Sequence, residues 1–314
     1  MIINQDKKEI RGTIFDVQGL SVHDGPGCRT LIFLNGCTLN CFWCSNPEGI
    51  SRKPVPMYYH SRCISCNNCI NECPEGAIKR EEGELFINRK ICLTCENKSC
   101  VSVCYTDGLK LSGYEITTEK LLNIIQRDRQ FWGSEGGITL SGGEPLMQID
   151  FAEEILRRSY ESYIHTAIET CGNIPFTNLQ RVIPYLDWIF FDLKHFDSEK
   201  HKEGTNADNL LIIENAKQLA KEFNGRIIFR LPLIPQFNDS MENINSIISF
   251  LKEVGRNEIN ILPLHHLGRE KYKIINREYT GLNYLIPSIE KMQKVKQIFT
   301  EAGIICHLGG ETPF

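Results

Sequence analysis

The sequence predicts an α/β fold, in which strands alternate with helices around a parallel sheet. Short runs rich in β-branched and aromatic residues recur along the chain, and longer amphipathic stretches separate them. Because parallel strands require long crossover connections, this alternation favours a doubly wound sheet or a full or partial barrel. A cysteine-rich stretch at residues 57–105 has little apolar periodicity of its own, which indicates an insertion after the second strand.

The predicted elements follow one another at spacings that suit βα units. Strands are predicted at residues 13–17, 30–34, 138–140, 165–169, 188–193, 227–231, 259–262 and 304–307. Amphipathic helices are predicted at residues 118–131, 151–160, 209–223 and 240–254. In parallel βα folds, ligands usually bind at the carboxyl ends of the strands, so we expect the functional residues there.

The overall composition is that of a globular protein. The chain has 314 residues, of which 41% are hydrophobic and 24% charged, enough for one large domain or one domain with a small insertion. A net charge of -4 argues against nucleic acid or an anionic membrane as the main partner. The polar N-terminus does not resemble a signal peptide, and no apolar run approaches the ~18 residues of a membrane span. We therefore expect a cytoplasmic protein.

The cysteines are the most informative residues. The chain contains 14 of them, and most lie in three groups at residues 37–44, 63–73 and 92–104. Disulfides are the alternative in a secreted protein, but clustered thiols in a reducing cytosol favour metal ligands. Cys28, Cys171 and Cys306 lie outside the groups, and we interpret all three as small buried hydrophobic residues.

The first group has the spacing C-x3-C-x2-C, formed by Cys37, Cys41 and Cys44. Three thiolates in one loop can hold three irons of a 4Fe–4S cluster and leave the fourth iron open to a substrate. Structural zinc, completed by His23, is the alternative, although zinc prefers four closing ligands and paired C-x2-C spacings. The spacing therefore favours a catalytic iron–sulfur cluster.

The other two groups resemble the cysteine runs of two-cluster ferredoxins. The first run is C-x2-C-x2-C-x3-C followed by proline, and the second has the same plan with one longer gap. In such ferredoxins the fourth cysteine of each run ligates the other cluster. The predicted ligand sets are Cys63, Cys66, Cys69 and Cys104 for one cluster, and Cys73, Cys92, Cys95 and Cys100 for the other. Two zinc sites are the alternative, and the clusters would serve either electron relay or folding.

Three later strand ends carry polar motifs. They are SGGEP at 141–145, FDLK at 191–194 and LPLHHLG at 262–268. Paired glycines permit close approach of a ligand to the backbone, and an acidic side chain can accept a hydrogen bond from an ammonium group. The simpler interpretations are a plain loop, a surface ion pair between Asp192 and Lys194, and locally hydrogen-bonded histidines at 265 and 266.

These motifs together resemble those of the radical S-adenosylmethionine (SAM) superfamily, in which C-x3-C-x2-C ends an early strand and an aromatic, here Trp43, precedes the last cysteine. The stretches SVHDGPGCRT, GGITLSGGEP, IETCG, FFDLKH, RLPLIPQFNDS and LPLHHLG are similar to the activating enzymes of glycyl radical enzymes. The resemblance implies a partial (β/α)6-type radical SAM barrel formed by residues 1–56 and 106–314. Residues 57–105 would form an inserted ferredoxin-like domain with two 4Fe–4S clusters.

The resemblance also implies a reaction and its partners. Three 4Fe–4S clusters and SAM would be the cofactors, and reductive cleavage of SAM would give a 5′-deoxyadenosyl radical. That radical would abstract a hydrogen atom from a glycine of a partner glycyl radical enzyme, with a low-potential flavodoxin or ferredoxin as electron donor. The alternatives are a radical SAM enzyme that acts on a small molecule and a polyferredoxin-type electron carrier. A carrier would gain nothing from an open iron.

The family motifs imply a set of SAM-binding residues. They are Trp43, Cys44, Ser45, Gly142, Gly143, Glu144, Asp192, Lys194, Arg230 and His265. By the resemblance, the GGE motif contacts the methionine amino group, and Arg230 contacts the SAM carboxylate or the partner's glycine loop. Glu169, Thr170 and Asp192 fall where such enzymes hold a monovalent cation, for which oxygen ligands are suitable.

The identity of the partner depends on finer similarities. Comparable insertions occur in activating enzymes of glycerol dehydratase, choline lyase, benzylsuccinate synthase and arylacetate decarboxylases. The stretches FDVQGLSVHDGPGCRT and FFDLKHFDSEKHKEGT and the terminal GGETPF are most similar to activators of 4-hydroxyphenylacetate decarboxylases. The partner would then convert 4-hydroxyphenylacetate to p-cresol, and the other glycyl radical enzymes remain alternatives.

Overall fold

The computed structural model describes residues 9–310, and a nine-stranded sheet dominates this part of the chain. The strands are β1 (Arg11–Ser21), β2 (Arg29–Leu34), β3 (Pro56–Tyr58), β4 (Ile78–Glu81), β5 (Glu84–Ile87), β6 (Leu109–Leu111), β7 (Tyr114–Thr117), β8 (Gly137–Gly142), β9 (His165–Thr170), β10 (Trp188–Asp192), β11 (Arg226–Leu233), β12 (Glu258–Pro263) and β13 (Ile305–Leu308). The helices are α1 (Asn68–Asn71), α2 (Arg89–Thr94), α3 (Ser99–Ser102), α4 (Thr118–Asp128), α5 (Ile149–Glu161), α6 (Phe176–Val182), α7 (Ser198–Thr205), α8 (Leu210–Glu222), α9 (Met241–Glu253), α10 (Arg269–Ile274) and α11 (Ile289–Glu301).

The large sheet confirms the predicted α/β class. Its strand order is β13-β12-β11-β10-β9-β8-β2-β1-β7, and β2 and β8 to β13 run parallel. All eight predicted strands are present. The first differs from the expected parallel arrangement, because β1 is antiparallel to both β2 and β7. Only residues 22–28 join β1 to β2, and so short a connection cannot make a parallel crossover.

The helices cover the sheet through apolar faces. In α5, Phe151, Ala152, Ile155 and Leu156 are buried, which is the spacing of one helical face. In β11, five successive residues from 227 to 231 are buried, as expected for a strand covered on both sides. No helix within residues 9–310 is both long enough and apolar enough to cross a membrane.

The cysteine-rich insertion lies between β2 and β8. Its two ends are brought together by an antiparallel ladder in which Pro56 pairs with Leu111 and Tyr58 with Leu109. Between these strands lie the β4–β5 hairpin and the short helices α1, α2 and α3. The Arg89 guanidinium ties the insertion to the rest of the molecule, since it donates to Pro56 O and to Ile274 O, both at 2.9 Å.

Candidate active site

A cleft opens at the carboxyl ends of the parallel strands, as expected for this class of fold. It encloses about 980 Å³, including the part open to solvent. The predicted residues that line it are Cys37, Cys41, Trp43, Cys44, Ser45, Gly142, Gly143, Glu169, Thr170, Asp192, Lys194 and His265. Two predicted SAM-binding residues, Glu144 and Arg230, do not line it. The structure therefore brings together most of a set that is spread over more than 200 positions of sequence.

The cysteine loop follows β2 directly and is fixed by backbone hydrogen bonds. The Cys37 amide donates to Ile50 O at 3.0 Å, and the Phe42 amide donates to Gly204 O, also at 3.0 Å. The sulfur of Cys37 in turn accepts a hydrogen bond from the Leu39 amide at 3.4 Å. The loop thus holds its thiols in place before any ligand is added.

The three thiols share one small region. Burial, with a smaller contribution from the charge of Cys37, raises the pKa of Cys44 to about 11. Burial also raises the pKa of Cys41, to which the charges of Cys44 and Cys37 add. Within residues 9–310, however, no three or more Cys, His, Asp or Glu side chains are close enough to hold a single metal ion. The C-x3-C-x2-C spacing of the loop is what favours an iron–sulfur cluster over structural zinc.

Asp192 and Lys194 form a buried ion pair beside this loop. Lys194 Nζ donates to Asp192 Oδ2 at 2.7 Å, and the lysine side chain is only 8% exposed. Burial opposes the ammonium charge, but the charges of Asp192, Cys41 and Cys171 outweigh it and raise the pKa of Lys194. The alternative of a surface ion pair is therefore wrong, and a permanent positive charge lies next to the thiols.

Gly142 and Gly143 expose their backbone to the cleft, as predicted. A Cβ at Gly143 would lie 2.1 Å from Gly36 O, and one at Gly142, where φ is +108°, would lie 2.5 Å from Leu34 N. Only glycine lets this turn pack so closely on the end of β2. Close packing on β2 therefore requires the two glycines of SGGEP, which distinguishes this motif from a plain loop.

Glu144 differs from the predicted contact with the methionine amino group. The residue is fully buried, and its carboxylate accepts hydrogen bonds from Thr170 Oγ1 at 2.8 Å and from the Cys171 amide at 2.9 Å. The Cys171 thiol donates to it at 3.1 Å, and the Leu146 amide at 3.2 Å. With its acceptor sites used by protein donors, Glu144 joins the ends of β8 and β9 rather than facing the cleft.

Arg230 likewise pairs within the protein. Its guanidinium bonds to the Glu169 carboxylate, which also accepts from Ser141 Oγ at 2.5 Å, and it stacks 3.7 Å from the centre of the Phe190 ring. The oxygens predicted for a monovalent cation all have protein partners, since Thr170 donates to Glu144 and Asp192 accepts from Lys194. An arginine thus supplies the positive charge beside Glu169.

Cys171 is a residue whose position the sequence interpretation missed. It was interpreted as a small buried hydrophobic residue, and its side chain is indeed buried. It lines the cleft, however, and its thiol donates to the Glu144 carboxylate at 3.1 Å. The available signal was its place directly after the predicted strand at 165–169, where site residues are expected.

The insertion groups its cysteines as a two-cluster ferredoxin would. A second cavity is lined by Cys63, Cys66, Cys69 and Cys104, one complete predicted ligand set. Burial raises the pKa of Cys100 to about 11, and the largest charge effects on it come from Cys73 and Cys92. The fourth cysteine of each run therefore lies with the other run.

Comparison with known proteins identifies the class. A family model described as "Radical SAM superfamily" matches residues 95–251, and one described as "4Fe-4S binding domain" matches residues 56–79. The solved structure of Streptococcus suis SuiB bound to precursor peptide SuiA shares the fold, with a TM-score of 0.52 and 14% identity, over 87% of this chain and 46% of that chain. The chain is a radical SAM protein with an iron–sulfur binding segment.

Relatives of nearly equal length narrow the class to one family. The 4-hydroxyphenylacetate decarboxylase activating enzyme of Clostridioides difficile is 42% identical over 313 residues, which cover 98% of this chain and 99% of that protein. The indoleacetate decarboxylase activating enzyme of Tractidigestivibacter scatoligenes is 37% identical over 311 residues, covering 96% and 98%. This chain belongs to the radical SAM activating enzymes of glycyl radical enzymes. It generates a radical from SAM, and its cofactors include 4Fe–4S clusters.

Proposed function

We propose that this chain forms the glycyl radical of a 4-hydroxyphenylacetate decarboxylase. The observation that carries the proposal is the loop that places the thiols of Cys37, Cys41 and Cys44 in the wall of an open cleft. When bound there, a reduced 4Fe–4S cluster supplies the electron that cleaves SAM to methionine and a 5′-deoxyadenosyl radical. The partner glycine gives up a hydrogen atom, so the cleft needs no general base. Its task is to orient SAM and to limit access of water.

The cleft residues would divide this task. Cys37, Cys41 and Cys44 hold the cluster, and the Lys194 ammonium offsets part of its negative charge. The exposed backbone at Gly142 and Gly143 and the side chains of Trp43, Ser45, Asp192 and His265 contact SAM. Glu144 and Arg230 lie behind this surface and position it. Glu144 does so by joining the ends of β8 and β9, and Arg230 does so through its ion pair with Glu169.

The insertion would carry two further clusters, giving three in all. The cavity lined by Cys63, Cys66, Cys69 and Cys104 supports one of them, and the charge effects around Cys100 support the other. The closing ladder at Pro56 and Leu111 supports a domain at 57–105 between two barrel segments at 1–56 and 106–314. These clusters would relay electrons from a low-potential flavodoxin or ferredoxin. All cysteines of the chain are free thiols, so the protein would reside in a reducing cytoplasm.

The choice of partner rests on similarity. The relative from Clostridioides difficile is named for 4-hydroxyphenylacetate decarboxylase, and three stretches of this chain favour the same partner. One of them, the terminal GGETPF, extends beyond the described residues at positions 311–314. Activation of glycerol dehydratase, choline lyase or benzylsuccinate synthase, and action on a small molecule, remain the alternatives.

A monovalent cation at Glu169, Thr170 and Asp192 is the part of the proposal that the geometry opposes, because Arg230 already neutralises Glu169. The test compares SAM cleavage in potassium, sodium and choline chloride at equal ionic strength. Equal rates are expected if Arg230 replaces the cation. A rate that collapses in choline would establish the cation instead.

The partner assignment is tested by anaerobic activation. The chain is reconstituted with iron and sulfide, reduced, and mixed with SAM and 4-hydroxyphenylacetate decarboxylase, while 5′-deoxyadenosine and the glycyl doublet in the paramagnetic resonance spectrum are measured. A decarboxylase with its radical glycine replaced by alanine is the matched control. Deoxyadenosine without a doublet would redirect the search to another partner or a small molecule. No deoxyadenosine from cluster-replete protein would favour an electron carrier.

A further inference from the structure

Three helices on one half of the barrel begin with an exposed apolar residue. Leu210 is the first residue of α8, Met241 of α9 and Ile289 of α11, and their exposed fractions are 70%, 53% and 78%. A single exposed apolar residue is ordinary on a protein surface. The same arrangement on three helices indicates a common cause.

All three helix starts lie at the edge of the sheet where the cleft opens. Each helix ends a few residues before the next parallel strand begins, and so ends at the amino edge of the sheet. Each has 13 residues and is therefore about 20 Å long, the length of a strand of about six residues. The first residue of each helix thus lies at the opposite, carboxyl edge, where Cys37, Asp192 and His265 line the cleft.

The segment that precedes α11 adds further apolar residues to this edge. Leu285 and Ile286 are both exposed. The preceding residue, Tyr284, instead turns inward and stacks on Phe42, with ring centres 4.5 Å apart. Tyr284 therefore anchors the segment on the cysteine loop, while the two residues after it face solvent.

The same anchor places this segment beside the wall of the cleft. Tyr284 packs against a small apolar cluster that includes Trp43 and Leu264, and both of these residues line the cleft. The exposed Leu267 follows His265 of the cleft by two residues. We call the exposed apolar residues at this edge the apolar rim, which consists of Leu210, Met241, Leu267, Leu285, Ile286 and Ile289.

We propose that the apolar rim is the surface on which the partner glycyl radical enzyme docks while its glycine enters the cleft. The inference rests on the proposed function and adds the surface that the partner contacts. The glycine belongs to another protein, so that protein must cover the edge where the cleft opens. Large exposed apolar surfaces are rare on monomeric proteins and mark sites of interaction, and the rim surrounds part of this opening.

Two exposed apolar residues at the opposite edge provide a matched control. Tyr163 lies two residues before β9, and Ile305 is the first residue of β13. Both therefore lie at the amino edge of the sheet, away from the cleft. A partner that docks on the apolar rim should not contact them.

The test compares the double variant Leu285→Ser/Ile286→Ser with Tyr163→Ser/Ile305→Ser in the full, reconstituted chain. Calorimetry measures the affinity of each protein for 4-hydroxyphenylacetate decarboxylase, glycerol dehydratase, choline lyase and benzylsuccinate synthase. The rim variant should bind the partner about ten- to a hundredfold more weakly than the unmodified protein, because it loses two apolar contacts at the interface. The control variant should stay within about twofold.

The outcomes separate this inference from the choice of partner. Rim-dependent binding of an enzyme other than the decarboxylase would support the rim and refute the proposed partner. Unchanged affinity in the rim variant, or equal losses in both variants, would overturn the rim proposal. Failure of the unmodified protein to bind any of these enzymes would overturn it as well.

A second measurement requires no substitution. Amide hydrogen exchange at residues 285–289 of the unmodified protein should slow when the partner is added, whereas exchange at residues 161–164 should not change. Equal slowing at both edges, or none at either, would refute docking on the rim. Sedimentation of the chain alone tests the remaining occupant, since a dimer that the rim variant dissociates would show that a second copy covers the rim and that the proposal is wrong.

Discussion

The barrel and the insertion are stabilised in different ways. The barrel has a continuous apolar core that extends through β2 and β8 to β13 and the helices on them. The insertion has a separate core of seven buried residues, Ala77, Ile78, Leu85, Ile87, Cys92, Cys100 and Leu109. Two of these seven are predicted cluster ligands. Apolar burial can therefore fold the barrel, whereas an insertion with so small a core would depend on the metal clusters proposed for it.

The two regions also differ in how their cysteines are used. The barrel presents the three thiols of the cysteine loop in an open cleft, next to the charge of Lys194. The insertion gathers Cys63, Cys66, Cys69 and Cys104 around one cavity, and a set of four thiols can close a cluster completely. An incomplete set leaves an iron free for chemistry, whereas a complete set suits electron transfer or folding.

The largest expected effect is local unfolding of the insertion after loss of a cluster ligand. Structural metal sites contribute on the order of 10 kcal/mol to the folding of small domains, so Cys92→Ser should expose residues 57–108 to rapid limited proteolysis. The barrel fragments should survive, and Cys306→Ala in the barrel core is the matched control. An insertion that resists protease equally well in both variants would show that its folding does not depend on the clusters.

The same Cys92→Ser protein separates the two roles considered for the inserted clusters. If the clusters relay electrons, 5′-deoxyadenosine formation with a flavodoxin donor should fall much more than formation with a small chemical reductant. If they serve folding alone, the two rates should fall together.

The next effect concerns the cluster in the barrel. Cys41→Ala removes one of three ligands and should reduce SAM cleavage about 1000-fold, equivalent to about 4 kcal/mol of barrier. The barrel should still unfold cooperatively, since Cys41 lies outside its main core. Cys28→Ser, outside the cysteine groups, should cleave SAM normally. Comparable losses in both variants would mean that general damage, rather than loss of a ligand, explains the effect.

A core truncation tests the barrel's dependence on apolar packing. Phe229 is fully buried and packs against Phe191 with ring centres 5.8 Å apart, so Phe229→Ala should lower the free energy of unfolding of the barrel by about 3–5 kcal/mol. Leu85→Ala, in the insertion, should change barrel unfolding by less than about 1 kcal/mol. Urea denaturation followed by far-ultraviolet circular dichroism measures both. Equal losses would show that the two regions unfold as one unit.

The smallest effect is a pH dependence confined to the barrel. Burial, with help from the Arg29 charge, lowers the pKa of His165 to about 4. Because the folded pKa is below the unfolded value of 6.5, the folded state resists protonation and stability falls as the pH drops below about 6.5. Linkage predicts a loss of about 1–2 kcal/mol between pH 8 and pH 5. His165→Gln should reduce this slope in urea midpoints, and part of it should remain because burial also lowers the pKa of His195 and His201. A variant of the exposed His60 should leave the slope unchanged.

Much of the molecule could be predicted because periodicity and cysteine spacing are local properties. Eight of the nine strands of the main sheet were readable from runs of residues, and the grouping of Cys63, Cys66, Cys69 and Cys104 was readable from cysteine spacing. The antiparallel direction of β1 was missed, because strand composition carries no information about direction. The short connection at residues 22–28 was the signal that could have shown it.

The sequence by itself determined the class of fold, the cysteine sets and the loop of three thiols, since each depends on residues close together in the chain. Only the tertiary structure decided that the Glu144 carboxylate accepts from the Cys171 amide, that Arg230 pairs with Glu169, and that Cys171 lines the cleft. Such contacts depend on which polar groups, far apart in the chain, become partners when water is excluded from the interior. The spacing of residues within a motif does not encode that choice.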